Sequence, residues 1–214
     1  EIARFNINKY FFGFSQNEYN STTCFAVLII VISMLVDYGK KISQILYRIA
    51  QQQLFKQMAY MDELTGLANR RKCEEYMKEL ETHTEKYCIL CFDLNLLKKI
   101  NDIYGHEKGD ELIKRFADVL REVYSLYGIT ARTGGDEFVT ILNNVSVQET
   151  EKLISDMLIL IETKNKEEDI LKLSTAYGYA MSDEVADSNP HIIYKLADDR
   201  MYEYKKKSKM GRND

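Results

Sequence analysis

Arg132-Thr133-Gly134-Gly135-Asp136-Glu137-Phe138 is the stretch that decides the fold. Ile129-Thr130-Ala131-Arg132 leads into it and Phe138-Val139-Thr140-Ile141-Leu142 leads out, and both runs are rich in the residues that suit strands. Gly134-Gly135 between them predicts a tight reversal, so the segment reads as a β-hairpin with Asp136 and Glu137 at its tip. At such a tip the backbone can approach a phosphate closely and the acids can hold a divalent cation. Taken alone, a Gly-Gly hairpin is more often a plain turn with solvated acids. The surrounding chain overturns that reading.

Upstream, Lys86-Tyr87-Cys88-Ile89-Leu90-Cys91-Phe92-Asp93-Leu94-Asn95 is a mostly apolar run that ends in an acid, the pattern of a buried strand delivering a carboxylate at its C-terminal end. Asp93 on this strand and Asp136 on a neighbouring hairpin can share Mg²⁺, a hard ion that takes oxygen ligands and keeps substrate phosphates in its shell. The turn after Asp93 runs into Leu96-Leu97-Lys98-Lys99, where a helix start offers free backbone N–H groups to phosphate. Asn101 and Asp110 supply an amide and a carboxylate able to hydrogen-bond a base edge.

The coarse pattern predicts helix 69–82, strand 86–94, helices 97–104 and 107–125, strands 128–133 and 137–142, helix 147–164, strand 172–182 and helix 191–208. Val119, Leu120, Val123, Ile154, Met157, Leu158 and Ile161 recur at helical spacing and read as core. Pro190, the only proline, sits near the start of the last helix, where its missing N–H costs little. This α+β order with a central hairpin suits a ferredoxin-like, palm-type fold, a mostly antiparallel central sheet covered by helices.

Together these motifs resemble the GGDEF family, the diguanylate cyclases. Asp62-Glu63-Leu64-Thr65-Gly66-Leu67-Ala68-Asn69-Arg70-Arg71 looks like the family's opening signature, Phe92 to Asp110 like its metal and guanine segment, and Gly134 to Phe138 is its namesake motif unaltered. Ala197-Asp198 with Met201-Tyr202 and Lys205 resembles its closing helix. The resemblance covers roughly 60–213 and implies the same fold. It also implies a homodimeric enzyme that condenses two GTP to cyclic di-GMP with release of pyrophosphate, using Mg²⁺ or Mn²⁺ in its place. By motif, Asp93, the Leu94 carbonyl and Asp136 are the metal ligands. Glu137 is either a second ligand or an aid to deprotonation. Asn101 and Asp110 read guanine, and backbone N–H groups near Leu96 and Leu97, with Lys98 and Lys205, hold the phosphates. A noncatalytic module sensing GTP or the dinucleotide is the alternative, but such degeneration would normally remove an acid at 93, 136 or 137, and all three are present.

The chain departs from the family pattern in places. Asn95 stands where many members carry a second Asp, and Leu97 replaces a common Phe. Two extra residues separate Lys205 from Gly211-Arg212-Asn213, so Lys209 or Arg212 takes the family's arginine role; helical spacing from Lys205 favours Lys209. The product-inhibition site expected just before the hairpin is absent, with Ser125-Leu126-Tyr127-Gly128 in its place. Arg115-Phe116-Ala117-Asp118 has the right letters but lies too far upstream and reads as a helix face.

The net charge of −4 hides a split: residues 62–214 carry 23 basic and 30 acidic residues, a poor balance for nucleic-acid binding. Cys88 and Cys91 have the spacing of a zinc or redox pair, yet on a strand they face opposite sides, and the four cysteines read as reduced. From Tyr19 to Val36 no residue is charged, and eighteen helical residues span about 27 Å, enough for the hydrocarbon layer. Lys40, Lys41, Arg48 and Lys56 come next with no acid between Asp37 and Asp62, which places the residues beyond 38 in the cytoplasm. The expected organisation is an extracytoplasmic loop at 1–18, belonging to a longer sensor, an inner-membrane helix at 19–38, a helical linker at 39–61 and the catalytic domain at 62–214. In the linker, Ile42, Ile45 and Ile49 form one seam and Leu54, Met58 and Met61 another, out of phase. That is the pattern of a short parallel coiled coil with a stutter, or of a helix packing on its own domain.

Overall fold

Tyr87–Leu94 forms strand β2, and all eight residues are buried. A strand with no polar face needs cover on both sides, and the rest of the C-terminal part supplies it. The computed structural model describes residues 16–82, 85–168, 170–185 and 189–210. It divides into two units, Glu1–Phe55 and Lys56–Asp214.

In the C-terminal unit, strands β1 (Ala68–Asn69), β2, β3 (Gly128–Arg132), β4 (Glu137–Asn143) and β5 (Thr175–Met181) form one sheet in the order β1-β3-β4-β2-β5. β1 runs parallel to β3, and the other neighbours are antiparallel. Helices α3 (Leu97–Tyr104) and α4 (His106–Tyr124) carry the chain from β2 to β3, β4 returns between them, and α5 (Val147–Lys166) crosses to β5. This is the split βαβ arrangement expected of a ferredoxin-like fold. The short β1 was not expected from sequence; two residues carry no period to read.

The sheet separates two cores. On one face Cys88, Leu90 and Phe92 of β2 pack with Phe116, Leu120 and Tyr124 of α4 and Ile154, Met157 and Ile161 of α5. On the other, Ile89, Cys91, Val139 and Ile141 meet Cys73 and Met77 of α2 (Arg70–Leu80) and Ile193, Ala197 and Met201 of α6 (Pro190–Met210). Cys88 and Cys91 thus fall in different cores, and burial pushes the Cys73 and Cys88 thiols up to about 12. Gly178 lets α6 lie close on β5, since a Cβ there would come within 2.2 Å of the Met201 backbone nitrogen. Leu158, expected in the core, is exposed on α5; its turn of the helix faces outward while Met157 and Ile161 hold the inner face. Pro190 is the first residue of α6, as its missing N–H allows.

The opening signature is a local device. Asp62 Oδ1 accepts from the Thr65 amide at 2.9 Å and hydroxyl at 2.6 Å, and Gly66, at φ 65°, donates its N–H to the Asp62 carbonyl. Asn69 then joins two helices: its Nδ2 donates to the Ala59 carbonyl, while its Oδ1 accepts from the Lys72 amide and caps α2. That cap moves the predicted helix start from 69 to 70.

Helix α1 is continuous over Gln16–Tyr60. Gly39, at the expected boundary between membrane helix and linker, lies inside it with nothing near its Cα that a side chain would meet. Among the described residues it is the one helix long and apolar enough to cross a membrane. The Ile42, Ile45 and Ile49 seam and the Leu54, Met58 and Met61 seam are exposed. Most of the predicted loop at 1–18, residues 1–15, lies outside the described residues.

Candidate functional site

The acids predicted from sequence meet where β2 ends and the β3–β4 hairpin turns. Arg132 pairs with Phe138 across the hairpin, and the Thr133 amide donates to the Glu137 carbonyl at 3.0 Å. The Asp136 carbonyl accepts from the Leu94 amide at 2.8 Å, which fastens the hairpin tip to the end of β2. Gly134 and Gly135 do not adopt the left-handed conformation. Gly134 is needed for room instead: a Cβ there would sit 2.7 Å from Glu137 Oε2.

A cleft of about 490 Å³ opens at this junction, lined by Asp93, Asp136, Leu94, Leu96, Leu97, Lys98 and Lys205, with Asn95, Lys99, Asp102 and Ser208. Seven residues predicted for metal and phosphate therefore share one wall system. The chain turns from β2 into α3 through Leu96, a non-glycine residue at φ 69°, and no side chain caps the helix start. Such a conformation costs of order 1–3 kcal/mol and is held only where surroundings enforce it. Leu96, Leu97, Lys98 and Lys99 line the cleft, so the start of α3, with no side-chain cap on its first-turn amides, borders it, a feature suited to an anion.

Asp93 is 7% exposed. Its Oδ2 accepts from Lys205 Nζ at 2.5 Å, and its carbonyl accepts from the Thr175 hydroxyl at 3.0 Å. Its Oδ1 has no partner. Among the described residues two buried side-chain polar atoms are left without a hydrogen bond, Asp93 Oδ1 and Asn101 Oδ1. Each is an acceptor on a residue the sequence marks for ligand binding, and buried acceptors of this kind are ordinarily satisfied. Asn101 Oδ1 faces Gly109, where a Cβ would come within 1.8 Å of it, so that glycine lets α4 close on α3. Asp110, next along α4, is exposed. The α3–Gly105–α4 corner, with Gly105 at φ 86°, thus sets Asn101 beside the start of α4.

Glu137 parts from its neighbour. It is the Cα partner of Asp93 across β2 and β4, yet its side chain lines a separate cavity of about 280 Å³ with Arg70, Glu74, Thr133, His191 and Tyr194. Among the described residues no three His, Cys, Asp or Glu side chains are grouped so as to hold a metal ion by themselves. The acids lining the cleft are Asp93, Asp136 and Asp102; carboxylates suit a hard ion completing its shell with other oxygens.

Two residues without an assigned role complete the site. Arg132 donates to both Asp62 carboxylate oxygens at 3.3 Å and to the Gly135 carbonyl at 2.9 Å, linking the turn after α1 to the hairpin tip. Burial pushes the Asp62 carboxyl up, but bonds from the Thr65 hydroxyl and amide, with the Arg132 charge, outweigh it and hold the group below its ordinary value. The Asp198 carboxyl, on α6, is raised by burial first, then by its neighbours Asp199 and Asp93. The side chain of Lys209 and the whole of Arg212 lie outside the described residues. Arg115 is occupied by Glu168 and the Lys164 carbonyl, and Asp118 pairs with Arg121, so that tetrad is a structural helix face.

A family model described as diguanylate cyclase, GGDEF domain, matches residues 59–211. The chain is 30% identical over 164 residues to the probable diguanylate cyclase DgcT of Escherichia coli strain K12, covering 74% of this chain and 35% of that one. It is 29% identical over 161 residues to a membrane protein of Staphylococcus aureus strain USA300, covering 71% and 44%. The GGDEF domain of DgcB from Caulobacter crescentus, solved in complex with c-di-GMP, is 25% identical, superposes with a TM-score of 0.62 and covers 69% of this chain and 91% of that one. The chain spans less than half the length of the two curated relatives. With the motif, the fold and the family model in agreement over most of its residues, the chain belongs to the GGDEF-domain family.

Proposed function

We propose that this chain is a diguanylate cyclase, condensing two GTP molecules into cyclic di-GMP with release of two pyrophosphates. The observation that carries the reading is the pair of orphaned acceptors, Asp93 Oδ1 and Asn101 Oδ1, one at the expected metal position and one at the expected guanine position. A buried acceptor held without a partner costs free energy in the empty protein, about 1–3 kcal/mol, and a ligand that supplies a cation or a donor recovers it. The name of the Escherichia coli relative and the dinucleotide in the Caulobacter structure point the same way.

The residues fit Mg²⁺ or Mn²⁺. Asp93, Asp136 and the Leu94 carbonyl would hold it, and it would supply positive charge that eases loss of the hydroxyl proton and offsets charge on the leaving pyrophosphate. The chain's own work is positioning. Amides at the start of α3, with Lys98 and Lys205, seat the β- and γ-phosphates. Asp110 accepts from guanine's N1–H or amino group, and Asn101 takes another edge. Each 3′-hydroxyl then attacks the α-phosphate of the opposite nucleotide; a P–O bond forms as the bond to the pyrophosphate oxygen breaks. Glu137, lining the neighbouring cavity, serves as a second ligand or proton acceptor once its side chain turns toward the hairpin tip.

One nucleotide per subunit leaves half a reaction on each, so the working unit is a homodimer. The exposed seams at 42–49 on α1 and at 54–61 through its end are suited to a parallel pairing. Residues 19–38 anchor the chain in the inner membrane, with the basic residues after them in the cytoplasm; the Staphylococcus relative is also named a membrane protein. Incubating the full chain in nanodiscs with GTP and Mg²⁺ tests the reading. Cyclic di-GMP and pyrophosphate in the ratio of one to two are expected. Tight GTP binding without product would favour a sensing module instead.

A further inference from the structure

Asp93 is half satisfied, and the half that is satisfied is held by the wrong kind of cation for the proposed chemistry. Lys205 Nζ sits 2.5 Å from Oδ2, while Oδ1 is buried and bare. The two ends of this ion pair are anchored differently. Asp93 is fixed in the central strand, with its carbonyl tied to Thr175. Lys205 comes from the last turns of α6 on a flexible stem, with 26% of its side chain open to solvent against 10% for Asp93. If the pair is to open, the lysine moves.

A divalent ion approaching Asp93 would meet an ammonium already within contact distance of the same carboxylate, and two cations at that range in a shielded cleft repel strongly. The lysine therefore leaves only when something else takes it. Lys205 also lines the cleft that the uncapped start of α3 borders. An anion seated there offers the ammonium a new partner and frees Asp93 in the same motion. Asp136, Asp102, Lys98 and Lys99 share the cleft. A Lys ammonium is a point charge with rotatable donors, well suited to exchange partners in this way.

Resting on the reading of this cleft as a metal–triphosphate site, we propose that Lys205 is an internal counter-ion of Asp93 that is exchanged for the divalent cation as the triphosphate arrives. Metal and nucleotide then each bind well only in the other's presence. Lys205 is a positioning residue with a linkage role, beyond its contact with phosphate. The linkage is reciprocal: whatever the nucleotide adds to metal affinity, the metal adds to nucleotide affinity.

Mn²⁺ binding to the full chain in detergent micelles, followed by the paramagnetic signal of the free ion, tests this with and without an α,β-methylene GTP analogue. In the natural sequence the analogue should tighten Mn²⁺ on the order of tenfold or more. Lys205→Met should bind Mn²⁺ alone about tenfold more tightly than the natural sequence, and the analogue, still ligating the ion through its phosphates, should tighten it by a correspondingly smaller factor. Lys205→Arg, which keeps the charge, should retain the coupling. The proposal is overturned if Lys205→Met binds Mn²⁺ alone no better than the natural sequence, or if Lys205→Arg also loses the coupling. In either case, loss of Mn²⁺ binding in Asp93→Asn would leave the metal reading standing. If Asp93→Asn binds Mn²⁺ as the natural chain does, the metal reading falls and this proposal with it.

Discussion

The two ends of the β3–β4 hairpin are built to opposite purposes. At the tip, Asp136 lines a cleft with Asp93, three lysines and the left-handed Leu96 at the uncapped start of α3. At the other end, where β3 begins, Ser125-Leu126-Tyr127-Gly128 presents no charged group, and Leu126 is 91% exposed. Gly128 is wedged against β4, since a Cβ there would come within 1.9 Å of the Ile141 carbonyl. One end holds a buried unsatisfied acceptor, Asp93 Oδ1, among lysines; the other borders a cavity of about 570 Å³ whose lining has no lysine or arginine.

The sharpest way to break the contrast is at the tip. Asp136→Ala should cut cyclic di-GMP formation at saturating Mg²⁺ by at least about a hundredfold, because a ligand lost from the metal removes several kcal/mol of transition-state stabilisation. The side chain is only part-buried and carries no structural bond of its own, so the thermal midpoint should hardly move. Product formation above a tenth of the natural rate would remove Asp136 from the metal. Asp110→Ala should act next most strongly, and on selectivity. Guanine presents donors where adenine's ring nitrogen presents an acceptor, so losing the carboxylate should erode the preference for GTP over ATP by about 1–3 kcal/mol. Kinetics with GTP, ITP and ATP measure it, and an unchanged preference would move the guanine contact elsewhere.

A smaller effect is expected where the tip meets the turn after α1. Arg132→Ala leaves the Asp62 carboxylate without its charged partner and the Gly135 carbonyl without a donor, at a cost of about 1–3 kcal/mol in stability. The pH dependence carries its own sign. The Asp62 carboxyl is held below its ordinary value of 3.8, so its contribution is present in full above that value and is lost as pH falls through the lower, folded one. Thermal melts between pH 5 and pH 3 should show the natural sequence losing more stability than Asp62→Asn. Equal losses would mean that the bonds from Thr65 and the Arg132 charge do not hold the Asp62 carboxyl below its ordinary value.

The sequence made the elements legible wherever they were long and periodic. β2 was readable as a buried strand because an apolar run eight residues long has few other uses, and Val119 and Leu120 followed from helical spacing, while Phe116 and Tyr124, which share their core, were not picked out. The acids 93 and 136 were legible because each sits where a strand stops. What could not be read depends on φ or on rotamer. Leu96 adopts a left-handed conformation with no glycine to announce it. Glu137 comes directly after Asp136 in sequence yet turns to a different cavity, a choice made by the room Gly134 leaves. Lys205 read as a phosphate ligand, but its pairing with Asp93 joins residues more than a hundred apart, which no local pattern encodes. Leu158 matched the helical period and still faces solvent, because the stripe α5 buries is narrower than the run of apolar residues on it.

The smallest expected effect is the most telling for the contrast between the two ends. Added cyclic di-GMP at tens of micromolar should barely slow turnover. A site for a doubly charged dinucleotide needs cations with free donors, and the 125–128 turn has none. Its backbone is also committed: the Tyr127 amide donates to the Tyr124 carbonyl at 3.0 Å, and the Tyr127 carbonyl accepts from the Asn143 amide at 2.9 Å. The nearest arginine pattern, at Arg115, is tied to Glu168 and the Lys164 carbonyl, and freeing it would break a half-buried ion pair. Control should pass through dimer geometry instead, because a small change in how two half-sites meet moves reacting groups out of line. Inserting single residues near Gln52 in α1 should therefore change activity in a phase-dependent way while the response to added product stays flat. Tight product inhibition would show that an inhibitory site exists away from the 125–128 turn, and loss of that inhibition in Arg115→Ala would locate it. Insertions without effect would reduce α1 to a tether.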